Sequence, residues 1–268
     1  MELGIFTPDN LKQPQKPLDS KLGIKNDLKT SKERYEKVGE TLSIIVKKIL
    51  SLSVPQKTIE EWKILSPAIF TVDKKLDNIT DPVKRLEFAK KIIDFLNGGV
   101  VDFSNDKELE KSMLSVKNLS ANLGKNQREF FINSLSVFFK LTEKIKIEKD
   151  PLKLVELTRI EGQLAGRLYL LFLPQEFKLS NKYNQLVHAI TRLGRAGNSF
   201  DSFIDLPDDY NNKQAQVSPT VLNRVLFLGA VLSDGLSTIK NMGLSKDLIK
   251  IFLGATKNII QDAPRKLK

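Results

Sequence analysis

An all-α fold is what this chain predicts, and three observations carry that expectation. Apolar residues recur three and four apart over most of the length, as in Val38, Leu42, Ile45, Val46, Ile49 and Leu50. No stretch alternates apolar with polar as a half-buried strand would, and residues that start or stop helices punctuate the chain at helix-length intervals. The 268 residues, 41% hydrophobic and 28% charged, suit one soluble helical domain with a buried core. We place that domain over residues 31–262. An irregular arm at 1–30 precedes it, where Gly4, Pro8, Pro14, Pro17 and Gly23 break any periodicity.

The elements follow in order. The stripe from Val38 to Leu50 is the first helix and ends at Val54-Pro55. Thr58 is placed as the N-cap of the second, with Glu61 closing a capping box three residues later. Its apolar face is Trp62, Leu65, Ile69, Val72 and Leu76, and Pro67 kinks or splits it shortly before Asp73 and Asp77. Pro82 to Leu96 is stopped by Gly98-Gly99, and Asn105 to Asn122 by Gly124. Gln127 to Ile147 carries Phe130, Phe131, Leu135, Phe138 and Phe139. Asp150 caps the next helix, with Pro151 at its first position. That helix runs from Leu152 to Leu173, is apolar around most of its circumference toward the end, and belongs at the centre of a bundle. Asn184 to Asp205, Pro219 to Lys240 and Ser245 to Ile260 complete the set.

Composition removes several chemistries. With no cysteine there is no disulfide, thiolate metal site or cysteine nucleophile, and one histidine, His188, is too few for a multi-histidine metal site. His188 lies in an apolar stretch and reads as a hydrogen-bonded core residue. The net charge of +11 would attract anionic partners. The lysines are scattered through almost every segment, which speaks against nucleic acid and for solvated helix faces or an anionic small molecule. The first ten residues have no basic region followed by an apolar one, so no secretory signal is expected. The longest apolar run, about Val225 to Leu232, is short of a membrane span. A cytoplasmic protein is expected, with at most peripheral membrane contact.

Two acidic clusters fall on helices. Asp73 and Asp77 stand four apart, and Asp201, Asp205 and Asp209 are spaced i, i+4, i+8 with Asn198 one turn earlier. On an ideal helix those last three carboxylates fall within an arc of about 80°. Like charges stacked in this way repel, so the face is either kept in water or given a cation. Facing clusters would make an all-oxygen site suited to Mg²⁺. Pro207 interrupts the second cluster, and Asp208-Asp209 with Tyr210-Asn211-Asn212 also reads as a turn at a helix end. In the central helix, Gly162, Ala165 and Gly166 stand beside Arg159 and Glu161, which implies close helix packing, a local break or a ligand.

This succession, an aspartate pair, a Gly/Ala-marked helix about 90 residues later, then Leu193-Gly194-Arg195-Ala196 ahead of Asp201, Asp205, Asp208 and Asp209, resembles the squalene and phytoene synthase family. Bacterial class I terpene synthases of the same helical fold fit about as well. The resemblance covers roughly residues 35–260, in motif order and spacing more than in identity. Phe70 and Thr71 stand where the family has an Arg before an aspartate doublet, and the Gly-Arg that follows its second motif is absent from Tyr210-Asn-Asn-Lys213-Gln214. These departures favour cyclisation over head-to-head condensation.

The resemblance implies an isoprenoid-synthase bundle with a central apolar cavity, acting on an allylic prenyl diphosphate. Asp73, Asp77, Asn198, Asp201, Asp205 and Asp209 would hold Mg²⁺, and Arg159, Arg192 and Arg195 would balance the diphosphate. Phe70, Phe131, Phe138, Gly162, Ala165, Tyr169, Phe200 and Phe203 would line the cavity. The rival expectation is a non-catalytic binding or assembly protein on the same scaffold.

Overall fold

Helix follows helix along the chain. A computed structural model describes residues 37–242, in which α1 covers 37–50, α2 Gln56–Asp77, α3 Pro82–Leu96, α4 Lys107–Ala121 and α5 Lys125–Ile147. These are followed by α6 Pro151–Leu170, the short α7 Gln175–Lys178, α8 Tyr183–Asn211 and α9 Val221–Met242. No strand occurs among the described residues. The arm at 1–30 and the helix expected over Ser245 to Ile260 lie outside them.

Local chemistry accounts for most boundaries. The Asp150 carboxylate accepts from the N–H groups of Leu152 (2.9 Å) and Lys153 (3.3 Å), with Pro151 in the first turn where its missing N–H costs nothing. Asp81 does the same ahead of Pro82, and Asp106 caps α4. Thr58 is not a cap. α2 begins at Gln56 after Pro55, and the Thr58 hydroxyl, inside the helix and buried, donates to the Phe172 carbonyl. α2 also continues through Pro67 as one helix, which puts Asp73 and Asp77 in its final turns.

The larger correction concerns α8, which runs six residues past the expected end at Asp205, through Pro207. A proline inside a helix deprives the carbonyl four residues back of its donor. Here that carbonyl belongs to Phe203, and Arg224 Nε supplies the missing bond at 3.1 Å. Asp208 and Asp209 are therefore helical and not part of a turn.

α6 packs against α5, α8 and α9, as its apolar circumference requires. At its crossing with α8, a Cβ on Gly162 would collide with the Gly194 carbonyl, and one on Gly194 with the Gly162 carbonyl. Gly166 meets the Ile190 carbonyl in the same way. The two glycines of α6 are thus accounted for by backbone approach, and Gly162 faces α8 and not a cavity.

One apolar cluster, with Trp62, Phe131, Leu168, Leu186 and Ile190 all nearly inaccessible, joins α1 to α6 and α8. Each such side chain contributes about 1.5–3 kcal/mol of burial. A smaller cluster of Leu154, Val155, Leu206, Val217 and Phe227 ties the start of α6 and the end of α8 to α9. α9 also corrects the reading of apolar runs. Over Val221–Ile239 it is long and apolar enough to cross a membrane by length and composition, at mean hydropathy 1.2, with a third of that stretch buried. Counting only uninterrupted apolar residues hid this, because Arg224 and Ser233-Asp234 bound the run.

Candidate functional site

Three helices bring their C-terminal turns to one end of the bundle. α2 stops at Asp77, α5 at Ile147 and α8 at Asn211, and each such terminus carries the negative end of a helix dipole. Acidic side chains are unfavourable there, yet this is where they gather. Asp73 and Asp77 of α2 approach Asp209 of α8 and Glu161 of α6 closely enough for their charges to act on one another, and Asp205, one turn before Asp209 on α8, adds its charge to that of Asp209. Gln214 ties the two sides together, its Nε2 donating to the Asp77 carbonyl (3.2 Å) and its N–H to the Asp209 carbonyl (2.7 Å).

Lys146, from the last turn of α5, stands among these acids. Its ammonium lies 2.7 Å from Asp77 Oδ1, and its side chain is only 7% exposed. Thr142, one turn earlier, donates to Glu161 Oε1 at 2.7 Å. Asn198 reaches the same carboxylate from α8, with Nδ2 2.8 Å from Glu161 Oε2 and 3.0 Å from the Thr158 carbonyl. Its amide hydrogens therefore serve α6.

The charge balance shows in the acids' proton affinities. Burial, followed by the neighbouring charges of Asp77 and Glu161, holds the Asp73 carboxyl well above the ordinary carboxylate range, against the pull of Lys146. Burial and the charge of Asp205 push Asp209 up to about 7. Glu161 is also raised by burial, although its bonds from Thr142 and Asn198 oppose the shift. One ammonium does not neutralise the group. Among the described residues, no three His, Asp or Glu side chains are gathered around one point as a ready metal cage.

Asp73 also borders an apolar slot between α2, α3, α4, α5 and α6. Phe131, Leu135, Phe138, Phe139, Met113, Val116 and Ala165 are among its walls, and its free volume is about 40 Å³. That admits a few water-sized groups and no prenyl chain unless side chains move.

The other expected residues fall elsewhere. Asp201 is exposed. Arg159 is bidentate on Asp234 of α9, Nε to Oδ2 at 2.8 Å and Nη2 to Oδ1 at 3.1 Å. Arg195 Nε lies 3.2 Å from the same Oδ2, out of hydrogen-bond alignment. Both arginines are thus committed to a carboxylate that is 2% exposed, while Arg192 is half-buried and makes no ion pair among the described residues. Tyr169 is buried in the core, its hydroxyl 2.9 Å from Ser66 Oγ and its carbonyl accepting from Trp62 Nε1 at 2.8 Å. Phe200 stacks on Phe203, which also carries the Arg224 guanidinium over its ring, so neither is a cavity wall. Phe70 is half-buried away from the slot, and His188 is exposed, not a core residue. Of the aromatic walls expected, the slot uses Phe131 and Phe138.

Lys146 and Asp234 were not singled out from the sequence. Asp234 had a signal, as the lone acid in a strongly apolar helix, where a buried charge demands a partner. Lys146 had none, being one of many lysines.

No family model matches the chain, and no curated protein or solved structure matches it.

Proposed function

We propose that the chain is a Mg²⁺-dependent class I enzyme that ionises an allylic prenyl diphosphate, with cyclisation favoured over head-to-head condensation. The observation that carries this is the meeting of the α2 and α8 carboxylates at the polar edge of an apolar slot. The donor set suits the ion. Mg²⁺ takes one or two carboxylates and completes its shell with water and substrate phosphate, so a preformed cage is not required. An excess of half-buried carboxylates held partly protonated is an environment that favours a dication.

Asp73 and Asp77 would hold ions from one wall and Asp205 and Asp209 from the other. Bound Mg²⁺ would neutralise the leaving diphosphate as a Lewis acid. Phe131, Phe138 and Phe139 would keep water from the hydrocarbon and present ring faces to positive charge. Release of diphosphate from geranyl, farnesyl or geranylgeranyl diphosphate in the presence of Mg²⁺, and its loss on Asp73→Asn and Asp209→Asn, is the expected result. No release from any of the three would end the proposal.

A second reading, a binding or assembly protein that keeps the scaffold without catalysis, is favoured by the Arg159 and Arg195 contacts to Asp234. It predicts that no prenyl diphosphate is turned over, and that Arg159→Met affects stability alone.

A further inference from the structure

The acidic end places an unusual demand on the fold. Asp73, Asp77, Glu161, Asp205 and Asp209 share it, and the C-terminal turns of α2, α5 and α8 add their own negative potential. Neither of the α2 lysines in its last turn relieves this: Lys75 is paired with Asp106 and Lys74 is exposed. α8 has no basic residue in its last turn. Among the described residues, Lys146 is the cation seen to reach in, from the last turn of α5, with its side chain almost wholly covered.

Burying an ammonium is costly and is sustained only by close opposite charge. Asp77 provides the direct contact, but the Lys146 charge acts on Asp73, Glu161 and Asp209 as well. It therefore serves the whole group and not one partner. A compact, strongly hydrated monocation on a flexible stem can be drawn aside when a better-placed dication arrives.

We propose that Lys146 is a built-in counter-ion that stands in for one divalent cation, holding the α2 and α8 walls together before ions and diphosphate bind. The inference rests on reading the acidic end as a cation site. It assigns Lys146 a positioning role, not a catalytic one. The chain would then stay folded without metal, and one fewer ion would be needed to balance the site.

The test is thermal unfolding of the full chain, as wild type, Lys146→Met and Lys146→Arg, in EDTA, in Mg²⁺, and in NaCl at matched ionic strength. In EDTA, Lys146→Met should lose roughly 5–10 °C in Tm, since an uncompensated buried charge group remains. Mg²⁺ should restore about half of that loss or more, NaCl should not, and wild type and Lys146→Arg should change by less than about 2 °C with Mg²⁺. A Lys146→Met protein that Mg²⁺ does not rescue overturns the proposal, because a plain ion pair with Asp77 behaves that way. A wild type that gains as much from Mg²⁺ as the variant overturns it too. If Lys146→Met does not fold in EDTA, the double variant Asp77→Asn/Lys146→Met, with one carboxylate fewer, replaces it. There a Mg²⁺ rescue that Asp77→Asn alone does not share supports the proposal, and no rescue rejects it. Diphosphate release by the wild type beside an unrescued Lys146→Met removes this inference and leaves the proposed function standing. Rescue without turnover does the reverse.

Discussion

Arg224 supplies the hydrogen bond that Pro207 takes from Phe203. Its Nε lies 3.1 Å from the Phe203 carbonyl, and its guanidinium sits over the Phe203 ring, 4.8 Å from the centroid. One side chain from α9 thus pays for the continuation of α8 past a proline, and that continuation is what carries Asp209 to the acidic end. Replacing it as Arg224→Met should orphan the carbonyl and remove the cation–π contact. A loss of about 2 kcal/mol in urea unfolding is expected. Hydrogen exchange should show that loss concentrated in residues 203–211. Uniform protection across α8 would reject the link.

The Gly162–Gly194 crossing makes a sharper claim. A methyl on either residue must displace backbone, not a pliable side-chain tip. Gly162→Ala and Gly194→Ala should each lower stability by about 3 kcal/mol through overpacking. Gly197, on the same helix with nothing within 4 Å of its would-be Cβ, is the control. Gly197→Ala should gain about 0.5–1 kcal/mol by removing backbone freedom from the unfolded chain. Equal responses at the three positions would show that the crossing is looser than described.

Much of this was legible in the sequence. Helix periodicity and the Asp150-Pro151 start are local chemistry, and they placed α6 and its central position. The aspartate pairs could be seen because their spacing is itself a helical fact. What periodicity cannot carry is which distant residue answers a local defect. Pro207 alone argues for a helix end, and only Arg224, brought up by α9, reverses that. Arg159 and Arg195 looked available for a diphosphate because their partner, Asp234, lies some forty to seventy-five residues further along the chain. Lys146 differs from the surrounding lysines only in where α5 ends.

The raised carboxyl of Asp209 gives a pH signature in metal-free buffer. Its folded pKa of about 7 lies above the ordinary 3.8, so between those values the folded state holds a proton that the unfolded state has released. Stability must then fall as pH rises through that window. Asp73 is shifted the same way and adds to the fall. In EDTA, Tm should be lower at pH 7.5 than at pH 5, and Asp209→Asn should flatten the difference. A Tm that climbs over this range, unchanged by the substitution, would mean that the α8 acid is not held in the described environment.

The slot offers the most direct check on what the site accepts. Ala165 faces it from α6, near the aromatic walls of α5, and the space beside it is about 40 Å³. Ala165→Leu would occupy that space. Filling an apolar void contributes about 0.5–2 kcal/mol, while strain from imperfect fit opposes it, so the folded state should change by no more than about 1 kcal/mol. A prenyl chain already needs the walls of the slot to move apart, and the added Leu side chain would block that opening. Farnesyl diphosphate with Mg²⁺ should raise the Tm of the wild type, by an amount that grows with the logarithm of its concentration above Kd. The same addition should stabilise Ala165→Leu no more than inorganic diphosphate with Mg²⁺ does, and inorganic diphosphate should stabilise both proteins equally. Should farnesyl diphosphate stabilise both alike and diphosphate match it, the hydrocarbon is not bound in the slot, and the acidic end acts on the anion alone.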